Sequence, residues 1–376
     1  MEQQALYQMA LTRIPGIGPA YTRKLIARFG DAVAVFQAKK EQLLAMEGIR
    51  EGPADAILGF AGHKALQAEL VLLEKKGVRP LFFTDAGYPD RLRKVPDSPP
   101  LLFYKGNADL NARRILAVVG TRNPSDYGRQ ATAQLIRQLA QPGLLVISGL
   151  AAGIDTAAHK AALNQQLPTV GILGHGFGYL YPPENESLAN AMLRQGGLLT
   201  SFPFDAGPEK YHFPDRNKLV AALCDAVLVV ETARKGGSLS TVNEARKYHR
   251  RVFAVPGRIM DTRSAGCNWL IRQGMAEMLT SGDQLPAAMG WDWPAGGTGV
   301  QASLRLSSSD SEGTEQEELL LHLLKEKDSL SIDELGSRCG LPPSSLALLL
   351  LNLETAGLIS ALPGKRYKCN PSEIRA

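Results

Sequence analysis

Ile115-Leu116-Ala117-Val118-Val119-Gly120 is a short apolar run with β-branched residues that stops on a glycine, and five similar runs follow it. They are LLVISG (144–149), TVGILG (169–174), GLLTSF (197–202), AVLVVE (226–231) and VFAVPG (252–257). Each is too short for a helix and too apolar for a surface strand, so each reads as a buried strand. Most lie a helix-length apart, and four of the six end in glycine. Strands alternating with helices predict an α/β fold, a Rossmann-like doubly wound sheet that is mostly parallel and covered on both faces. In that architecture a ligand sits beyond the carboxyl ends of the strands. That is where this chain gathers its glycines and polar residues.

Five strand-end clusters carry the candidate chemistry. Gly120-Thr121-Arg122 follows the first strand, and Ser148-Gly149 opens the segment SGLAAGID (148–155) after the second. Gly174-His175-Gly176-Phe177-Gly178 follows the third, HFPDRNK (212–218) brings Arg216, Asn217 and Lys218, and RKGGS (234–238) brings Lys235, Gly237 and Ser238. Glycines let backbone amides approach an anion, and arginine offers a forked donor that suits phosphate. Singly, each cluster reads as an ordinary strand-helix turn. Together they predict an electropositive rim for a phosphate backbone, with base stacking on Phe177 or Tyr179. His159 reads as a packed histidine, Asp155 as a helix cap and His175 as a more open one without a nucleophile beside it. There is no GxxxxGK[ST] sequence, so an ATP-driven motor is disfavoured.

Outward from the sheet, residues 1–80 read as short helices around Ile14-Pro15-Gly16-Ile17-Gly18-Pro19, a helix-hairpin-helix signature, with a degenerate second copy at Met46-Glu47-Gly48-Ile49. A structural hairpin that touches no DNA fits those residues equally well. Residues 81–284 form the Rossmann-like domain. A linker rich in Gly, Ser and Pro is expected over 285–314, and a winged-helix domain over 315–376, with Ser331 and Pro342-Pro343 as helix starts. The segment 314–376 holds seven basic against nine acidic residues, and PPSSLALLLLNLETAGL (342–358) has no Lys or Arg. A helix that reads a major groove carries such residues. The winged helix is therefore expected to contact protein, with only Lys365, Arg366 and Lys368 able to touch phosphate.

The 376 residues carry 42 basic and 37 acidic side chains, a net charge of +5 that permits an anionic partner without demanding one. Cys224, Cys267, Cys339 and Cys369 are scattered, without metal spacing, so a reducing, cytoplasmic setting is expected, with no metal and no cofactor. The N-terminal residues lack the order of a signal peptide. No apolar stretch approaches the roughly 20 residues of a membrane span, so no membrane partner is expected.

An enzyme is the rival reading. GGSLSTVNE (236–244) resembles the PGGxGTxxE loop of the lysine-decarboxylase-like (LOG) nucleotide hydrolases, where the glutamate takes part in N-glycosidic cleavage. Glu244 falls in the matching place, but Lys235 replaces the proline and Ser240 the third glycine. A closer resemblance runs through eight ordered motifs: YPDRLRKVPDSPPLLFYKGN (88–107), VVGTR (118–122), SGLAAGIDTAAH (148–159), YPPEN (181–185), FPDRN (213–217), ARKGGSLST (233–241), VFAVPG (252–257) and GCNWLIRQG (266–274). In these the chain resembles the DprA (Smf) family of bacterial DNA-processing proteins. The resemblance implies an extended Rossmann fold between a helix-hairpin-helix (SAM-like) domain and a winged helix. It implies single-stranded DNA binding without base specificity, homodimerisation, delivery of the RecA recombinase during natural transformation, and no catalytic residues. Carried over, Arg122 is the leading DNA contact, and Ser148, Gly149, Arg216, Asn217, Gly237 and Ser238 line the same pocket. Pro183 and Glu184 stand where many relatives are basic, so that contact is either lost or supplied by Lys210. Lys218 stands where relatives often have arginine.

Overall fold

The computed structural model describes residues 2–292 and, beyond them, 319–324, 329–341, 345–346, 349–350, 353–354, 358–362 and 366–369. The chain divides into two compact units, Met1–Gly297 and Thr298–Ala376.

The first unit is organised by a nine-stranded sheet. Its strands are β1 (Arg79–Phe82), β2 (Leu101–Gly106), β3 (Arg114–Gly120), β4 (Leu144–Ser148), β5 (Thr169–Ile172), β6 (Gly197–Thr200), β7 (Ala226–Val230), β8 (Arg251–Ala254) and β9 (Glu277–Met278). They lie in the order β1-β2-β6-β5-β4-β3-β7-β8-β9. Every pair from β6 to β9 is parallel, while β1 and β2 add an antiparallel edge. Side chains alternate across β3. Ile115, Ala117 and Val119 pack with the helices His212–Leu223, Ser238–Lys247 and Ala265–Arg272. Leu116 and Val118 pack with Asp126–Gln138, Ile154–Asn164 and Gln284–Met289. Burial on both faces explains why these strands are continuously apolar. Strand order reverses at β3, with β4 to one side and β7 to the other, which opens a crevice at their carboxyl ends.

Residues 285–292, read from the sequence as the beginning of a linker, are instead part of this core. Leu285 is fully buried, and Ala288, Met289 and Trp291 pack against the same cluster. Four consecutive polar or glycine residues before the helix, Thr280 to Asp283, masked an apolar face only two turns long. The remainder of the expected linker lies outside the described residues.

The N-terminal helices are continuous with the sheet. Met9, Leu25, Val35, Ile57 and Leu73 share one core with Phe82, Leu101 and Phe103 of β1 and β2. Both glycine turns fall between helices, the first joining Glu2–Thr12 to Pro19–Phe29 and the second joining Lys40–Leu44 to Glu51–Leu58. Among the described residues no single helix is long and apolar enough to cross a membrane.

The second unit is a winged-helix domain with a three-stranded sheet of β10 (Leu330–Ser331), β11 (Ile359–Leu362) and β12 (Arg366–Cys369), ordered β10-β12-β11. Ser331 caps the helix Ile332–Cys339 as expected: its hydroxyl accepts from the Glu334 amide at 3.2 Å while the Glu334 carboxylate accepts from the Ser331 amide at 2.8 Å. Leu320, Leu324, Leu335, Leu346, Leu350 and Leu353 form its core. Pro342, Pro343 and Lys365 lie outside the described residues.

Candidate nucleic-acid interface

The crevice at β3 contains a cavity of about 410 Å³. Gly120 and Arg122 come to it from the end of β3, Gly149 and Ala151 from the loop after β4, Asp155 from the first turn of the helix Ile154–Asn164, and Gly237, Ser238 and Thr241 from the start of the helix after β7. The helix His212–Leu223 closes it with Phe213, Arg216, Asn217 and Val220. That helix reaches the rim because Leu219, Val220 and Leu223 are buried on the sheet. Its first turn is thereby left projecting beyond the strand ends.

Arg216 is the electrostatic centre. It is 6% exposed, yet its Nη1 lies 3.6 Å from Asp155 Oδ2 and its Nε has no hydrogen-bond partner. Gly149 makes room for it: a Cβ there would fall 1.1 Å from Arg216 Nη1. Asp155 is held in turn by the amides of Gly149 (3.1 Å) and Ala151 (3.3 Å), rather than capping a helix end. Burial lowers the pKa of Arg216 and raises that of Asp155, and each charge works against the shift of the other. A buried guanidinium with an idle donor is short of acceptors, and a phosphate oxygen supplies them. Two cations lie near the Phe213 ring, its centre 5.2 Å from Arg122 Cζ and 5.8 Å from Arg216 Cζ.

The two histidines are structural. Thr169 gives its hydroxyl proton to the Val146 carbonyl, so it accepts from His159 Nδ1 at 2.7 Å and leaves Nε2 unprotonated. Burial, with the nearby charge of Arg216, lowers the His159 pKa to about 3. His175 is buried rather than open. Its Nδ1 donates to the Gly176 carbonyl and its Nε2 accepts from the Tyr181 amide, which fixes a neutral ring, and burial lowers its pKa.

Residues 79–290 match the family model for DNA recombination-mediator protein A, and residues 306–365 match that for the DprA winged helix domain. The chain belongs to the DprA family. It is similar to Protein Smf of Synechocystis, 30% identical over 96% of this chain and 98% of that protein. It is also similar to the DNA processing protein DprA of Streptococcus pneumoniae, 41% identical over 54% of this chain and 71% of the relative. The X-ray structure of the pneumococcal DprA superposes with a TM-score of 0.63 at 32% identity, covering 75% of this chain and 97% of the other. A Helicobacter pylori DprA structure, described for its single-stranded DNA binding mode, superposes at 0.52 and 29% identity, covering 57% and 97%.

Within this DprA fold, the residues expected at the site divide into three groups. Gly120, Arg122, Gly149, Arg216, Asn217, Gly237 and Ser238 line one cavity. Thr121 and Ser148 are not among its lining residues. The Thr121 amide and carbonyl bond to Glu231 and Ile154, and the wholly buried Ser148 hydroxyl donates to Val118 at 2.6 Å, so Ser148 has no donor left for a ligand. Gly176, Lys218 and Lys235 lie away from it. Gly176 is buried against the 203–206 loop, where a Cβ would meet the Pro203 carbonyl oxygen at 1.8 Å. Lys218, paired with Asp215 at 3.1 Å, lines a different cavity of about 430 Å³ shared with Ile17, Gly18 and Pro19 of the first hairpin. Lys235 is exposed on the loop after β7 and is not among the lining residues.

Two further residues change standing. Glu244 does not line the strand-end cavity; its carboxylate lies 3.6 Å from Lys247, so it is not placed to act on a nucleotide held there. Phe213 was legible but overlooked. It stands three residues before Arg216, the spacing that puts a ring and a cation on one helix face. Phe177, expected to stack on bases, is half-buried against two core clusters, whereas Tyr179 is half exposed.

Proposed function

We propose that this chain binds single-stranded DNA without base specificity through the strand-end cavity, as a DNA-processing protein. The observation that carries the reading is Arg216, buried with an unpaired Nε on the wall of a cavity that Arg122 and Phe213 complete. The cations meet phosphate, the glycine amides approach it, and the Phe213 ring offers a face on which any base can stack. Lys210 and Lys235, both exposed and without a salt bridge among the described residues, extend the field outward. Protection of incoming DNA, delivery of RecA onto it in natural transformation, and homodimerisation belong to the same proposal and rest on family membership. So do a cytoplasmic setting and the lack of turnover.

Fluorescence anisotropy with a labelled oligo-dT across a salt series tests it. Wild type should bind with an affinity that falls steeply with salt, and Arg122→Ala should weaken binding tenfold or more, since one phosphate contact and the cation beside the Phe213 ring are lost together. Affinity indifferent to both salt and the substitution would move the site off this rim.

A further inference from the structure

The loop after β8 prolongs the rim beyond the cavity. Ile259 and Met260, adjacent at its tip, are each 89% exposed, more than any other large hydrophobic residue described. Arg258 and Arg263 flank them, and neither guanidinium makes a hydrogen bond or ion pair among the described residues. Two acids line the groove beside them: Asp126 is offset by Arg129 at 2.7 Å, and Asp261 accepts from the Arg263 amide at 2.9 Å. The neck of the loop is fixed. Gly257 donates its amide to Asn268 Oδ1 at 3.1 Å and accepts from Asn268 Nδ2 at 2.9 Å, and backbone bonds from Asp261 to Arg258 and from Ser264 to Asp261 close the turn. Beside the tip runs a groove of about 740 Å³ walled by Tyr127, Pro256 and Arg258. The Tyr127 ring is half exposed, and its hydroxyl is anchored on the Pro256 carbonyl at 2.7 Å.

This groove opens at the carboxyl end of β8, two strands from β3 and so roughly 10 Å along the same rim. Two apolar side chains here stand between two arginines whose guanidinium groups make no hydrogen bond or ion pair among the described residues. They suit a strand of bases carried between phosphates, where Ile and Met serve elsewhere as wedges. We propose that Ile259 and Met260 form a wedge that takes the single strand onward from the cavity, unstacking its bases against the pair and the Tyr127 ring while Arg258 and Arg263 hold its phosphates. The inference rests on the single-strand reading of the cavity and adds a second subsite to it.

The full chain and Ile259→Ala/Met260→Ala are compared by anisotropy on oligo-dT of about six and about sixteen nucleotides, lengths that span the usual range of such sites. At 89% exposure the substitutions remove no packing, so the fold is retained. The variant should bind the short oligonucleotide as wild type does and lose roughly tenfold on the long one. A 2-aminopurine flanked by adenines within the long strand should brighten on wild type and not on the variant. Equal affinity of both proteins for the long strand overturns the wedge while leaving the cavity in place. So does a 2-aminopurine that stays dim on wild type, or a loss that accompanies a fall in the molar mass of the free protein, which would assign the pair to self-association. A wild type that binds neither oligonucleotide overturns the cavity reading and the wedge with it.

Discussion

Arg216 and His159 show how differently two buried basic residues are treated in one fold. Arg216 keeps its charge because Asp155, itself held by two amides, stands near it. His159 has no acid and stays neutral, with a pKa lowered to about 3 from an unfolded value of 6.5. An imidazole that is neutral when folded contributes stability fully above the unfolded pKa. That contribution is lost as pH falls from 6.5 towards 3, because the unfolded chain takes up the proton first. Between about pH 6.5 and pH 5 wild type should therefore lose roughly 1.6 kcal/mol relative to His159→Gln, the slope rising towards about 1.4 kcal/mol per pH unit as the unfolded imidazole becomes protonated. Urea unfolding at the two pH values measures it. Asp155, whose raised pKa acts in the opposite sense, is present in both proteins and cancels in the comparison. A pH response identical in the two proteins would mean that the ring is charged in the fold.

At the scale of elements, the segment before the parallel sheet is latched rather than merely covering. Arg91 Nε and Nη2 each lie 2.7 Å from an oxygen of Asp225, which also accepts from the Ile115 amide at 2.8 Å. Ile115 stands near the start of β3 and Asp225 just before β7, so this fork pins the two central strands at the end remote from the cavity. Arg91→Lys keeps the charge and loses the fork. It should lower stability by about 1–2 kcal/mol in urea unfolding, without changing oligo-dT affinity at low denaturant. The sequence reading placed six strands and the helices between them, because runs such as AVLVV are buried on both faces and leave no other assignment. It did not find β1 and β2, since Pro80, Pro99 and Pro100 broke the pattern, nor β9, which is two residues long. Of the residues expected at the site, Gly120, Arg122, Gly149 and Gly237 line the strand-end cavity. The sequence reading misplaced Lys218 and Gly176, because adjacency in sequence does not say which helix face or which side of a turn a residue takes.

For the whole molecule, every cation described at the rim belongs to the unit Met1–Gly297, while 314–376 carries nine acidic against seven basic residues. The winged helix should then add little to strand binding. Deleting the residues after Glu312 should leave oligo-dT affinity within tenfold of the full chain by anisotropy. A larger fall would make the second unit a direct contributor.

The helix His212–Leu223 is a party wall. Arg216, Asn217 and Val220 look onto the strand-end cavity, while Asp215, Lys218, Leu219 and Ala222 look onto the cavity beside the first hairpin. The N-terminal helices are thus not a cassette that could be exchanged between relatives while the rest stayed still. A graft that refilled the hairpin side would press on the helix that carries Arg216, so a chimaera of two well-folded parents would inherit its grip on nucleic acid from neither.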